Sequence, residues 1–221
     1  MCGRFVLHEV VENITEAYRV DDVRIADAAA RYNIAPSQNI TTILQKNDKR
    51  YLVELEWGMV AFWTKDLASA RRPINVRIET LRERPTYRKE LERRRCIIPA
   101  SGFYEWLKEG EEPGPRYFRV MDGQAAFAGL WDKWQENEEA EPLRTCTIIT
   151  QPAEGPISAI HERMPALLTP ETALRWLDPT LDGASALALI TPDAMPPLDI
   201  YRVSTRVNKP TVDEASLISP I

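Results

Sequence analysis

Apolar side chains recur at short, strand-like intervals along most of this chain and at helical intervals in only a few places. Val10, Val11, Ile14 and Tyr18 fall three or four apart, so an amphipathic helix is expected over 8–19. Residues 40–45 (ITTILQ) and 50–57 (RYLVELEW) read as strands joined by a polar turn. A helical stretch is expected over 78–94, broken near Pro85. Strands follow at 95–99, 101–107, 116–121, 125–134 and 144–150, separated by acidic, turn-rich loops at 109–115 and 135–142. A helix should cover 170–177, with Pro170 at its first position after Thr169. Two short strands are expected at 185–190 and 200–206. Many short strands and few helices make the expected fold α+β: one domain over 1–221, with antiparallel sheets forming a barrel-like core flanked by short helices.

The 221 residues suffice to bury a sizeable core. No apolar run approaches a membrane span, and no charged segment leads into an apolar one at the start, so a cytosolic protein without membrane partners is expected. The cysteines are Cys2, Cys96 and Cys146. Their odd number, the lack of a CxxC and the presence of only two histidines argue against a disulfide framework and against a zinc site. No metal or cofactor is expected, and nothing demands more than a monomer. Net charge is −5, which speaks against nucleic acid, but the distribution does not. Arginine supplies 21 of the 28 basic residues, and 71–95 holds nine Arg and one Lys against four Glu. Such a stripe suits an anionic partner, or else a solvated helix laced with Glu–Arg pairs.

Cysteine at position two is the most pointed chemical feature. If Met1 is trimmed, Cys2 carries an α-amine and a thiol on adjacent carbons. Reference pKa values of about 8 and about 8.5 leave both partly deprotonated near neutrality. A 1,2-aminothiol captures aldehydes: the amine forms a Schiff base and the thiol closes on it as a thiazolidine. The bland alternative is an ordinary chain start. In Arg72–Thr80, Asn75 and Arg77 alternate on an extended piece and share a face, suited to gripping a carbonyl and a phosphate, or simply a polar strand edge. Glu105, flanked by Phe103, Tyr104 and Trp106, is expected to be partly desolvated and fit for proton transfer, or to pair with an arginine. His161 is a candidate proton shuttle, or a structural histidine; His8 is read as structural. Trp57, Met59, Phe62 and Trp63 cluster around Gly58, either as core or as a stacking surface for unpaired bases.

Taken together, MCGRF at 1–5, YNIAPSQ at 32–38, WGM at 57–59, NVRIET at 75–80, RRCIIPASGFYEW at 94–106, FAGLWDKW at 127–134, TCTIIT at 145–150, HERMP at 161–165 and VSTRVN at 203–208 resemble the SOS-response-associated peptidase (SRAP) family of abasic-site-processing proteins. The matches run in family order over nearly the whole chain. The tryptophan loop departs, because the family's prolines before the second tryptophan are absent, and so does Gln151-Pro152-Ala153; both touch details of the DNA groove.

The resemblance implies that mature Cys2 crosslinks abasic sites in single-stranded DNA through a thiazolidine. It implies that Asn75 holds the Cys2 terminus, Glu105 moves protons at the amine, and His161 assists sugar ring opening. It further implies phosphate contacts from Arg4, Arg77 and Arg163, packing or stacking near bases by Met59, Trp63 and Trp106, and Asn33 and Thr150 lining the same pocket. The Schiff-base stage opens a route to β-elimination, hence a weak AP-lyase activity. The family name reflects a proposed autoproteolytic step; with only Met1 ahead of Cys2, an aminopeptidase suffices. Two other classes use the same residues: an N-terminal-nucleophile cysteine peptidase or amidohydrolase, and a noncatalytic reader of modified DNA.

Overall fold

In the computed structural model, residues 2–25, 29–83, 87–110, 112–121, 124–191 and 195–221 are described; Met1 and the expected break at Pro85 lie outside them. The chain begins with a short buried strand, β1 (Phe5–Leu7), and one amphipathic helix, α1 (Val11–Ala17), shorter than the expected 8–19. β2 (Asp22–Val23) and β3 (Arg31–Ile34) lead into β4 (Asn39–Lys46) and β5 (Lys49–Trp57). The last two form a hairpin in which Lys46 faces Lys49, and the intervening Asn47 and Asp48 both take positive φ, 50° and 61°. Asn and Asp tolerate that left-handed pair, and its twist matches that of the flanking strands.

β6 (Asn75–Arg77) runs straight into α2 (Ile78–Glu83), followed by α3 (Arg88–Arg93). Five longer strands come next: β7 (Arg95–Ala100), β8 (Gly102–Leu107), β9 (Gly114–Val120), β10 (Ala125–Trp134) and β11 (Leu143–Pro152). β12 (Arg163–Pro165) and β13 (Leu167–Leu168) are brief. α4 (Pro170–Leu177) starts as expected, with the Thr169 hydroxyl accepting from Thr172 N–H.

The expected strand at 185–190 is instead α5 (Gly183–Leu187). Its Ala-Leu alternation mimics a strand, but Ala and Leu are strong helix formers, and Asp182 caps the turn by accepting from Ser185 N–H at 2.7 Å. The expected strand at 200–206 is β14 (Leu198–Arg202) followed by a 3-10 turn, Thr205–Asn208.

Two sheets result. One has the order β14-β9-β8-β1-β3; the other runs β12-β11-β10-β7-β4-β5-β2. In the second, β5 also pairs with β11 in parallel, closing β11, β10, β7, β4 and β5 into a ring, the expected barrel-like core. The parallel pairs β2–β5, β5–β11 and β6–β11 make the sheets mixed rather than purely antiparallel. Leu55, Trp57, Phe127 and Ile148 share one face of this ring and Ile43 and Ile97 the other, and all six are buried. A smaller core of Val6, Tyr104, Tyr117, Val203, Val207 and Leu217 fastens the C-terminal segment over the first sheet. Gly102, opposite Val6 and Arg119, is required by crowding: a Cβ there would lie 2.4 Å from Phe118 O and 2.5 Å from Tyr117 Oη. No helix among the described residues is long and apolar enough to cross a membrane.

Candidate functional site

The N-terminal residues are held inside the molecule by β1. Phe5 faces Ile34 on one side and Phe103 on the other, and its ring meets Trp57 at 5.4 Å and Phe127 at 5.5 Å, both edge to face. Burying an aromatic ring of this kind stabilises by about 2 kcal/mol or more, enough to fix the three residues ahead of it. Cys2 is consequently fully buried.

Asn75 reaches Cys2 from a segment gripped from both sides. Ile74 O accepts from Trp57 Nε1–H at 2.9 Å and from Ile148 N–H at 3.0 Å, and Pro73 O accepts from Met59 N–H at 3.1 Å. Gly58, with φ at +134°, supplies the turn between Trp57 and Met59. Asn75 Nδ2–H then donates to the Cys2 carbonyl at 2.8 Å.

Burial pushes the Cys2 thiol well above its ordinary range, and the nearby Glu105 charge pushes the same way; Arg4 N–H, hydrogen-bonded to the sulfur, partly offsets them. Glu105, on β8, is 3% exposed, and burial raises its carboxyl above the usual range against the pull of the amino-terminal charge and His161. Thus the Glu105 carboxyl acts on the Cys2 thiol, and His161 acts on the carboxyl.

His161 follows a 3-10 turn, Gly155–Ala159, and its N–H donates to Ile157 O at 3.0 Å. Its Nδ1 accepts from Arg163 N–H at 2.9 Å. A neutral ring so held carries its proton on Nε2. Arg163 O lies 3.1 Å from the same Nδ1, ready to accept from it once the ring is protonated. Both protonation states are therefore provided for at one nitrogen, which suits a group that passes protons.

Beside this corner is a cavity of about 810 Å³, lined by Met59, Trp63, Arg71, Arg72, Pro73 and Tyr87. Trp63 is 48% exposed and Phe62 46%, with rings 5.1 Å apart; Lys89 Nζ sits 4.0 Å from the Phe62 ring. Their loop is pinned from beneath: Val60 N–H donates to Thr145 Oγ1 and Phe62 N–H to buried Asp132, each at 2.8 Å. Arg77 is exposed where β6 ends. Trp106 is half-buried, and its Nε1–H donates to Asn208 Oδ1 at 2.7 Å. These residues can meet an incoming strand.

Five expected contact residues sit elsewhere than expected. Met59 touches the cavity but is 2% exposed, so its side chain packs mainly in the core and offers a base almost no surface. Asn33 does not line an open pocket: its amide N–H groups donate to Val207, Lys209 and Val212 carbonyls, and its Oδ1 accepts from Arg4 Nη1 at 2.7 Å. Arg4 Nη1 is thereby turned inward, donating also to Val207 O. Thr150 is fully buried, its hydroxyl directed to Val76 O. Arg163, expected on a phosphate, is 7% exposed, with its fork on Glu79.

The arginine run 93–95 is not one surface stripe either. Arg94 pairs with Asp132, and buried Arg95 donates to Leu91, Trp176, Asp178 and Leu181 carbonyls, satisfying helix ends. Sequence reasoning missed Glu79 and Asn208. Asn208 lies 102 positions from Trp106, and no periodicity links them.

Comparison with known proteins adds to this geometry. The model of the family "SOS response associated peptidase (SRAP)" matches residues 1–210. The chain is similar to the "Abasic site processing protein YoqW" of Bacillus subtilis (strain 168), 39% identical over 222 residues, covering 99% of each chain. It is similar to the "Abasic site processing protein YedK" of Escherichia coli (strain K12), 27% identical and covering 100% of both. Among solved structures, a Bacteroides thetaiotaomicron protein superposes with a TM-score of 0.86 at 23% identity, covering 100% of both chains, which shows the shared fold.

Proposed function

The chain belongs to the SRAP family, and from that premise we propose that it processes abasic sites by crosslinking them covalently through Cys2. The observation that carries the reading is the buried corner in which Asn75 grips the Cys2 carbonyl while Glu105 acts on its thiol and His161 acts on Glu105. Removal of Met1 places the α-amine on Cys2 itself. As the abasic deoxyribose opens to its aldehyde, its C1′ hydroxyl loses a proton and its ring oxygen gains one, with His161 giving the ring oxygen its Nε2 proton and taking the hydroxyl proton in return by way of water. The amine adds to the aldehyde carbon, and the Glu105 carboxyl gives its proton to the resulting hydroxyl, which leaves as water and produces an iminium. That positive charge favours the thiolate beside it, reversing the effect of burial, while Glu105 takes the thiol proton. The sulfur then closes on the iminium carbon, and the nitrogen becomes the neutral ring amine of the thiazolidine. Proton loss from the neighbouring sugar carbon at the iminium stage gives β-elimination, a weak lyase side reaction.

Single-stranded DNA is the proposed substrate, with Trp63 stacking on unpaired bases and Arg77 and Trp106 against the strand. A high thiol pKa fits a nucleophile that waits for an adjacent iminium better than a thiolate that turns over peptides. The test is incubation with uracil-containing single-stranded DNA treated with uracil glycosylase. A heat-stable protein–DNA band should form with protein shown by intact mass to lack Met1, and vanish with Cys2→Ala. No band from such protein, or turnover of peptides without adduct, overturns the proposal.

A further inference from the structure

We infer that Glu79 is a positioning residue for this reaction, acting with Arg163 as a brace across β11 that fixes the His161 ring relative to Asn75 and Cys2. The inference rests on the Cys2 reading above for its catalytic consequence, though not for its geometry.

Arg163 Nη1–H donates to Glu79 Oε1 at 2.7 Å and Nη2–H to Oε2 at 3.0 Å, a two-pronged pair. Nη2–H also donates to Thr150 O at 2.7 Å. Arg163 stands on β12, opposite Pro152 of β11, while on the far side of β11 Thr150 is in register with Arg77 of β6. Glu79 is the second residue of α2, directly after β6. The pair therefore bridges the strand that carries Asn75 to the strand next to His161.

The backbone of Arg163 provides the other half of the link, since its N–H and C=O are the two groups that serve His161 Nδ1, at 2.9 and 3.1 Å. One residue is tied by its side chain to Glu79 and by its peptide groups to the imidazole. The Arg163 side chain is 8% exposed and that of Glu79 46%, so the guanidinium needs this carboxylate as its counter-charge, and the pair is more than a surface contact. The hydrogen bonds from Arg163 hold the Glu79 carboxyl below the usual range, keeping it ionised at neutral pH. With both terminal nitrogens engaged and the side chain buried, Arg163 is poorly placed to serve as the expected phosphate grip.

The experiment compares wild type, Glu79→Ala and Glu79→Gln by three readouts. The first is the tautomer of His161 from imidazole nitrogen shifts, assigned with His161→Gln; only His8 shares that spectral region. Wild type should show the Nε2–H form, and Glu79→Ala a mixture of tautomers. The second is the single-turnover crosslinking rate on an abasic single strand at saturating DNA. It should fall about ten- to a hundredfold in Glu79→Ala, the scale expected of a misplacement near 1 Å, and less in Glu79→Gln, which keeps the shape without the charge. The third is noncovalent affinity for the intact strand of the same sequence, which should not change. An unaltered tautomer and rate in Glu79→Ala overturns the inference. So does a rate loss accompanied by tighter or weaker DNA binding and an altered salt dependence, which would make Arg163 a phosphate ligand that Glu79 masks. If Glu79→Ala does not fold, Glu79→Gln alone decides by its tautomer and rate. Failure of wild type to crosslink overturns the Cys2 reading while leaving the tautomer result to judge the brace.

Discussion

The corner around Cys2 and the cavity beside Trp63 meet along 73–75, with Pro73 lining the cavity and Asn75 facing the corner, yet they are built in opposite ways. In the corner, Cys2 is fully buried, Glu105 nearly so, and the Asn75–Cys2 and Arg163–His161 hydrogen bonds fix the groups against one another. Around the cavity, the Trp63 ring is about half exposed, Lys65 and Arg71 are exposed, and the loop is held through Val60, Phe62 and Thr64. Bond formation needs atoms fixed in a dry setting, where charges act strongly. Holding a strand whose sequence varies needs ring faces that accept any base and cations that meet its phosphates. On the proposed function, placing the two side by side lets one molecule be exacting about chemistry and permissive about sequence.

Several changes would separate these halves. The largest effect is expected from His161→Gln, which should slow crosslinking by about a hundred- to ten-thousandfold, the usual contribution of a positioned proton-transfer group, while noncovalent binding of an intact single strand stays as in wild type. Comparable weakening of that binding would show that the corner also grips DNA. Next comes Trp63→Ala. Loss of one stacking partner, about 1–3 kcal/mol, should raise the dissociation constant roughly five- to a hundredfold and leave the rate at saturating DNA unchanged. A fall in that saturated rate would mean the two regions are not separable. Replacing Arg71 by Ala should lower the slope of log affinity against log salt by about one if it neutralises a phosphate.

The smallest effect concerns stability. Glu105 is raised in the folded protein, so the native state holds its proton more tightly than the unfolded chain does. Wild-type stability should therefore fall as pH rises from the ordinary carboxyl value of 4.5 through the higher folded one. Glu105→Gln should remove that decline and be the more stable of the two at neutral pH in urea titrations. Glu79 is lowered, so the sign reverses: its contribution is present above 4.5 and is lost as pH falls through the folded value. Equal pH profiles for Glu105→Gln and wild type would contradict the desolvation of the corner.

How much of this was legible depended on the length of the signal. β10 and β11 each span ten residues, and the hairpin of β4 and β5 is nearly as long, so alternation found them. β1 is three residues and β3 four, too short for a period to register, although β1 sets the position of Cys2. The proposed reaction groups could be named because Cys2, Asn75, Glu105 and His161 each stood in a motif shared with a known family. Partners were not visible. Arg163 finds Glu79 84 positions away, and Asn33 closes on carbonyls 174 to 179 positions away, and only the folded chain brings them together. An arginine in a shared motif looks like a phosphate ligand until its fork is seen to be occupied.

The pairing of Phe5 with Phe103 and of Val6 with Gly102 also sets a timetable. During synthesis the first strand has no neighbour on that side until about a hundred further residues have left the ribosome. Throughout that interval the chain start is uncovered on this side, which is when the Met1 removal required by the proposed reaction has its opportunity. Once the later strand arrives, Cys2 is buried with it, and the proposed processing has to be complete by then.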